Sequence, residues 1–172
     1  MSLHDDVRGR IRDVPDFPKA GIVYKDITPV LQCPKMVARI TDWLAKMSPA
    51  NVDVIVGIES RGFLFAAALC EKLDASFVPA RKAGKLPWET IATSYALEYG
   101  EATLEMHRDA IQPGDRVLIV DDLLATGGTA NAARTLACEL GGEVVGALFL
   151  VELAFLHGRD ALAVPVHSLV TY

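Results

Sequence analysis

The sequence predicts an α/β protein built on a mostly parallel, twisted sheet flanked by helices on both faces. Short apolar, β-branched runs at residues 52–58, 116–120 and 144–151 read as buried strands. Helix-length segments at 62–73 and 129–140 lie between them, and such alternation builds parallel βαβ units. The third observation is a junction. The run Val117, Leu118, Ile119, Val120 is followed by Asp121 and Asp122, then by the small-residue string Ala125, Thr126, Gly127, Gly128, Thr129. In an open α/β sheet, a strand-to-helix turn of this kind is where ligands bind.

The elements follow in order. Ser2 and Asp5 make a capping box, and Leu3, Val7 and Ile11 share a helical face, so a short helix weakened by Gly9 precedes Pro15. A Pro/Gly-rich loop is expected over residues 14–21. Met36, Val37, Ile40, Leu44 and Met47 recur at helical spacing between Pro34 and Pro49. The strand at 52–58 leads to a helix at 62–73 that is apolar nearly all round and is expected to be buried, and 75–80 supplies the next strand. From 93 to 110, polar and apolar residues alternate around Gly100, the pattern of an antiparallel ribbon standing off the main sheet as a lid. The helix at 129–140 is ended by Gly141, and an apolar segment near 164–170 closes the chain. There is no repeat, low-complexity tract or linker, so residues 1–172 are expected to form one domain.

Composition narrows the function classes. The 172 residues, 51% of them hydrophobic, suffice for one sizeable core but not for two full domains. A net charge of −5 and the lack of a Lys/Arg run argue against a nucleic-acid binder working by counterion release. Cys33, Cys70 and Cys138 are odd in number and widely spaced, which suggests neither a disulfide framework nor a zinc site. The most apolar stretch, 144–151, is too short to span a bilayer, and no signal-peptide core opens the chain. No membrane association is expected, and the expected location is cytoplasmic.

The acid pair and the small-residue string carry the chemistry. Adjacent carboxylates at a strand mouth repel each other unless a cation or a hydroxyl-rich ligand engages them, and a ribose diol supplies two donors. The backbone N–H groups of residues 125–129 can close around a phosphate that also faces a helix N-terminus. Together they suit ribose 5-phosphate. Neither a Gly-x-x-x-x-Gly-Lys-Ser/Thr loop nor a Gly-x-Gly-x-x-Gly after a strand occurs, which removes the ATP-loop and dinucleotide readings. Residues 117–129 resemble the phosphoribosyl-pyrophosphate signature of the type I phosphoribosyltransferases. Two basic loops, Arg61 after the strand 52–58 and Arg81, Lys82 and Lys85 after the strand 75–80, suit a pyrophosphate leaving group.

Four segments narrow the resemblance to the adenine phosphoribosyltransferases along nearly the whole chain. They are Asp16-Phe17-Pro18 with residues 21–29, Glu59-Ser60-Arg61-Gly62-Phe63, Arg81-Lys82 with Gly84-Lys85-Leu86-Pro87, and Leu97-Glu98-Tyr99-Gly100. The resemblance implies a type I phosphoribosyltransferase fold with an N-terminal hood within residues 1–32 and a lid at 82–108. It implies that Val23, Tyr24 and Lys25 hold adenine, with Leu153 on the opposite face of the base. It gives catalytic roles to Glu98 as acid/base near the purine N7, Tyr99 closing over the reactants, and Arg61 on the pyrophosphate.

The implied reaction is purine salvage: transfer of 5-phosphoribosyl from phosphoribosyl pyrophosphate to adenine, giving AMP and pyrophosphate. Mg2+ is the implied cofactor, with Asp121 and Asp122 holding it indirectly through water or ribose. A homodimer is also implied. Two places depart from the family pattern, Lys19-Ala20 before Gly21 and Trp88 after Leu86-Pro87. The alternatives are a transferase for hypoxanthine, xanthine or orotate, which should lack the Tyr24-Lys25-Asp26 segment, and a non-catalytic regulator that senses phosphoribosyl pyrophosphate while binding nucleic acid.

Overall fold

The computed structural model describes residues 2–96 and 101–172, and these fall into two compact units, residues 1–43 and 44–172. In the first unit, helix α1 (Leu3–Arg8) starts on the expected capping box. Ser2 Oγ accepts from the Asp5 N–H at 3.2 Å, while Asp5 Oδ2 accepts from Ser2. The expected loop over 14–21 is in part a strand. β1 (Arg12–Pro15) pairs antiparallel with β2 (Val23–Asp26), from Arg12↔Asp26 to Pro15↔Val23. Four-residue strands, one ending in proline, carry too little alternation to be read from sequence. Their connection is pinned by Asp16 Oδ1, which accepts from the Gly21 N–H at 2.7 Å. A short helix, α2 (Thr28–Leu31), follows. Helix α3 (Pro34–Met47) is as predicted, with Met36, Ile40 and Leu44 buried.

The second unit is a seven-stranded sheet. β3 (Val54–Ile58) is buried throughout, because a strand covered on both faces has no solvent side. After helix α4 (Gly62–Leu73) come β4 (Ser76–Lys82), β5 (Thr90–Ala96), β6 (Glu101–His107) and β7 (Arg116–Leu124). Helix α5 (Gly128–Glu139), β8 (Glu143–Glu152), two 3-10 turns (Ala154–Leu156 and Gly158–Ala161) and β9 (Val166–Thr171) complete it. The sheet order is β5-β6-β4-β3-β7-β8-β9. The pairs from β4 to β9 are parallel, and those from β5 to β4 are antiparallel. The core joins Val56, Ile58 and Ile119 of the sheet to Ala133 and Leu136 of α5 and to Phe149 of β8.

Three expectations change. The ribbon does not stand off the sheet: β6 hydrogen-bonds to β4 at Arg81↔Glu105 and Lys82↔Leu104, and Leu104 and Met106 enter the core. β7 runs four residues past Val120, so the acid pair lies within the strand, Asp121 opposite Phe149. Adjacent carboxylates argue against a strand locally, but pairing with β8 supplies backbone hydrogen bonds that override this preference. Helix α4 is not buried all round, since Leu64 is 52% exposed.

Phe149 is fully buried in this core. Phe149→Ala is expected to lower the unfolding free energy by about 3–5 kcal/mol through lost contacts and a residual cavity, measured by urea denaturation with an unchanged slope.

Candidate active site at the carboxyl ends of the parallel strands

The chain leaves β3 through α4 to β4 on one side of the sheet and returns as β7 on the other side. The carboxyl ends of β3 and β7 therefore border the point where the strand order reverses, the ligand crevice of open α/β sheets. The parallel direction of β4, β3, β7 and β8 brings four loops to one edge of the sheet. They carry Glu59 to Arg61, Arg81 to Lys85, the turn after β7, and Leu153. Two basic loops and the contiguous run of the acid pair and small-residue turn are thus assembled.

At the β3/β7 crevice, Arg61 Nε lies 2.7 Å from Asp122 Oδ2, and Asp122 is buried. The Asp122 N–H donates to Asp121 Oδ1 at 2.8 Å. Burial and the neighbouring Asp122 charge push the Asp121 pKa well above the usual carboxylate range. Burial also raises that of Asp122, while Arg61 opposes the rise. The pair therefore favours any ligand that brings positive charge or hydroxyl donors. Close approach depends on Gly62, where a Cβ would stand 2.7 Å from Asp121 Oδ1 and 2.9 Å from the Val120 carbonyl oxygen.

The basic loop after β4 is organised by a carboxylate. Arg81 Nη2 and Lys85 Nζ each donate to Glu59 Oε1 at 2.9 Å, and the Lys82 N–H donates to Oε2 at 3.1 Å. Partial burial raises the Glu59 pKa, but these hydrogen bonds outweigh it and bring it to about 2. Arg81 also donates to the Lys85 carbonyl at 2.9 Å, and the Gly84 N–H donates to Glu105 Oε2 at 2.9 Å. The cations are thus held at one strand end before any anion arrives.

After β7, Gly127 takes a left-handed conformation at φ 83° and precedes the first turn of α5 with no side-chain cap. Glycine is required twice over, because a Cβ would collide with the Gly158 carbonyl oxygen. A helix start whose N–H groups are not capped by a side chain is an anion site in waiting. The Thr129 hydroxyl donates to the Tyr95 hydroxyl at 3.2 Å, which ties this helix start to β5.

The other residues singled out in the sequence are placed as follows. Val23, Tyr24 and Lys25 form β2 of the first unit, where Lys25 Nζ donates to Asp13 Oδ1 at 2.7 Å and the Tyr24 ring meets Phe17 edge-on at 5.2 Å. Leu153 follows β8 and donates its N–H to the Leu124 carbonyl at 2.9 Å. Glu98 and Tyr99 lie outside the described residues. Trp88, between β4 and β5, is 67% exposed. Among the described residues, no group of three or more His, Cys, Asp or Glu side chains could hold a metal ion. Two carboxylates, one engaged by Arg61, suit Mg2+ bound mainly through water and ligand oxygens rather than in a protein cage. Sequence reasoning missed the tie from Glu59 to Arg81 and Lys85, and that from Thr129 to Tyr95. Each joins residues more than twenty positions apart, and no local motif signals such a pairing.

A phosphoribosyl transferase domain family matches residues 26–164. Over 99% of its length the chain is 58% identical to the whole of an adenine phosphoribosyltransferase of Anaeromyxobacter dehalogenans. A crystal structure of adenine phosphoribosyltransferase from Thermoanaerobacter pseudethanolicus is 48% identical and superposes with a TM-score of 0.96, over 99% of this chain and all of that one. The adenine phosphoribosyltransferase of Saccharomyces cerevisiae, solved with an imino-altritol bisphosphate and adenine, is 38% identical. Its TM-score is 0.90, with 97% of this chain and 98% of that one covered.

The depressed Glu59 pKa sets a pH window. A carboxylate whose folded pKa lies below its unfolded value of 4.5 adds stability above pH 4.5, and that stability is lost as pH falls through about 2. Glu59→Gln is therefore expected to melt at a lower temperature than the parent at neutral pH, with the gap closing on acidification below pH 4.5. A gap independent of pH would show that these ion pairs do not contribute.

Proposed function

The chain belongs to the phosphoribosyl transferase family, and we propose from this premise that it transfers the 5-phosphoribosyl group of phosphoribosyl pyrophosphate to N9 of adenine. The products are AMP and pyrophosphate, a purine-salvage reaction. One observation carries the reading. A single sheet edge holds an acid pair, a glycine turn at a helix N-terminus and a pre-assembled cation cluster, and these suit a ribose, a 5-phosphate and a pyrophosphate respectively.

The residue roles follow from the chemistry each position offers. Asp121 and Asp122 accept the ribose 2- and 3-hydroxyls, relieving the repulsion of the pair. Backbone N–H groups of Ala125, Thr126, Gly127, Gly128 and Thr129 take the 5-phosphate. Arg61, Arg81, Lys82 and Lys85 receive the departing pyrophosphate, the last three drawn from the cluster that Glu59 orients. As charge develops on the leaving group and on the ribose ring, fixed charges on both sides stabilise the separation without reorganising. Asp121 and Asp122 would hold Mg2+ indirectly, through water or ribose oxygens, and the ion would supply positive charge to offset that of the pyrophosphate. Val23, Tyr24, Lys25 and Leu153 are assigned to adenine, and Glu98 and Tyr99 to proton transfer and closure, on the sequence resemblance. A cytoplasmic location and a homodimer complete the reading. The exposed apolar side chains of Leu64, Phe77 and Trp88 support a partner surface.

The deciding experiment incubates the purified protein with Mg2+, phosphoribosyl pyrophosphate and an equimolar panel of nucleobases. AMP is the expected sole nucleotide. A nucleotide of another base would overturn the adenine assignment, and no product would overturn the enzymatic one. Gly127→Ala is expected to weaken phosphoribosyl pyrophosphate binding about tenfold or more by disturbing the left-handed turn, measured by calorimetry. Glu98→Gln is expected to lower turnover about a hundredfold while adenine affinity changes little, and unchanged turnover would remove Glu98 from proton transfer.

A further inference from the structure

The turn at residues 125–127 is formed of small residues, and its own side chains supply little packing to fix its shape. A second segment lies directly beneath it. Gly158, in the second 3-10 turn after β8, is buried, and a Cβ there would collide with the Ala125 carbonyl oxygen and lie 3.0 Å from Gly127 N and Leu124 Cδ1. Conversely, a Cβ on Gly127 would collide with the Gly158 carbonyl oxygen. The two glycines therefore meet backbone to backbone. Further back, the Leu153 N–H donates to the Leu124 carbonyl at 2.9 Å, so the two segments touch at two places.

The neighbour of Gly158 is held by a two-pronged ion pair. Arg159 Nε and Nη2 donate to Glu152 Oε1 and Oε2, each at 2.6 Å, and Nη1 donates to the Val166 carbonyl at 2.7 Å. Glu152 is only 3% exposed at the end of β8. The guanidinium thus bridges β8, the 3-10 turn and the start of β9. Its planar geometry is essential, because an ammonium cannot serve both carboxylate oxygens and a third acceptor in one plane. Three of the five guanidinium N–H groups of Arg159 are thus engaged by the fold.

We infer that Gly158 and the Glu152–Arg159 pair are positioning residues for the 5-phosphate site, holding the backbone of residues 125–127 in its anion-binding shape. The same segment begins at Leu153, so it also sets the spacing between the phosphate turn and a residue assigned to the base. This inference rests on the phosphoribosyl reading above. A small displacement of a pre-formed backbone cradle is enough to weaken binding, whereas the cation cluster that receives pyrophosphate is organised separately by Glu59.

That separation supplies the test. Binding of ribose 5-phosphate and of magnesium pyrophosphate is measured calorimetrically on the parent, Arg159→Lys and Gly158→Ala, alongside melting temperature and kinetics. Both variants are expected to weaken ribose 5-phosphate binding about tenfold or more while pyrophosphate affinity stays within about twofold. In kinetics, KM for phosphoribosyl pyrophosphate should rise with kcat largely kept. If Gly158→Ala does not fold, Arg159→Lys, which keeps the charge, decides alone. Equal weakening of both ligands, or a lower melting temperature with unchanged ribose 5-phosphate affinity, would show a purely structural role and overturn the inference. A parent protein that binds ribose 5-phosphate but whose variants bind it equally well refutes only this inference. A parent that neither binds it nor makes AMP refutes the phosphoribosyl reading as well.

Discussion

The close approach of α4 to the end of β7 at Gly62 is the constraint on which the site depends. With no side chain there, the helix start sits against the Val120 carbonyl and the Asp121 carboxylate. This brings Arg61 within 2.7 Å of Asp122. A Cβ would force these groups apart and open the crevice between β3 and β7. Glycine at this position is therefore a packing requirement rather than a request for an unusual backbone angle, since no left-handed conformation is involved. The same logic recurs at Gly127 and Gly158, where backbone meets backbone.

The electrostatics divide along the same edge. On the β3/β7 side, two carboxylates are brought out of water together, and Arg61 offsets only part of the cost. On the β4 side, one carboxylate, Glu59, gathers Arg81 and Lys85 and is held ionised down to about pH 2. The first arrangement stores unfavourable charge that a hydroxyl-bearing or cationic ligand relieves. The second keeps flexible cations close together, which lowers the ordering cost when an anion binds. A substrate carrying a ribose between two phosphate groups matches both halves at once.

Legibility followed range. The parallel strands, both flanking helices and the amphipathic α3 could be read from periodicity, because each is long and its burial is uniform along one face or both. The β1/β2 ribbon could not, because its strands are four residues long and its pairing joins Arg12 to Asp26. The extension of β7 to Leu124 was hidden by the two aspartates, whose strand conformation is imposed by β8. In the site, the glycine turn and the acid pair were visible as a contiguous string. The tie of Glu59 to Lys85, the hydroxyl pair of Thr129 and Tyr95, and the facing of Gly127 by Gly158 were not, since each spans many residues and leaves no local pattern.

By itself, then, the sequence determined the chemical inventory and its assignment to strand ends: which residues carry charge, where the backbone can turn, and which segments are buried. Those properties are local, set by side-chain chemistry and by the repeat of helix or strand. Tertiary structure alone decided which charges neutralise one another, which glycines are contacts rather than hinges, and that the ribbon of β5 and β6 continues the sheet. Those outcomes depend on distances between segments that only the order and direction of the strands fix.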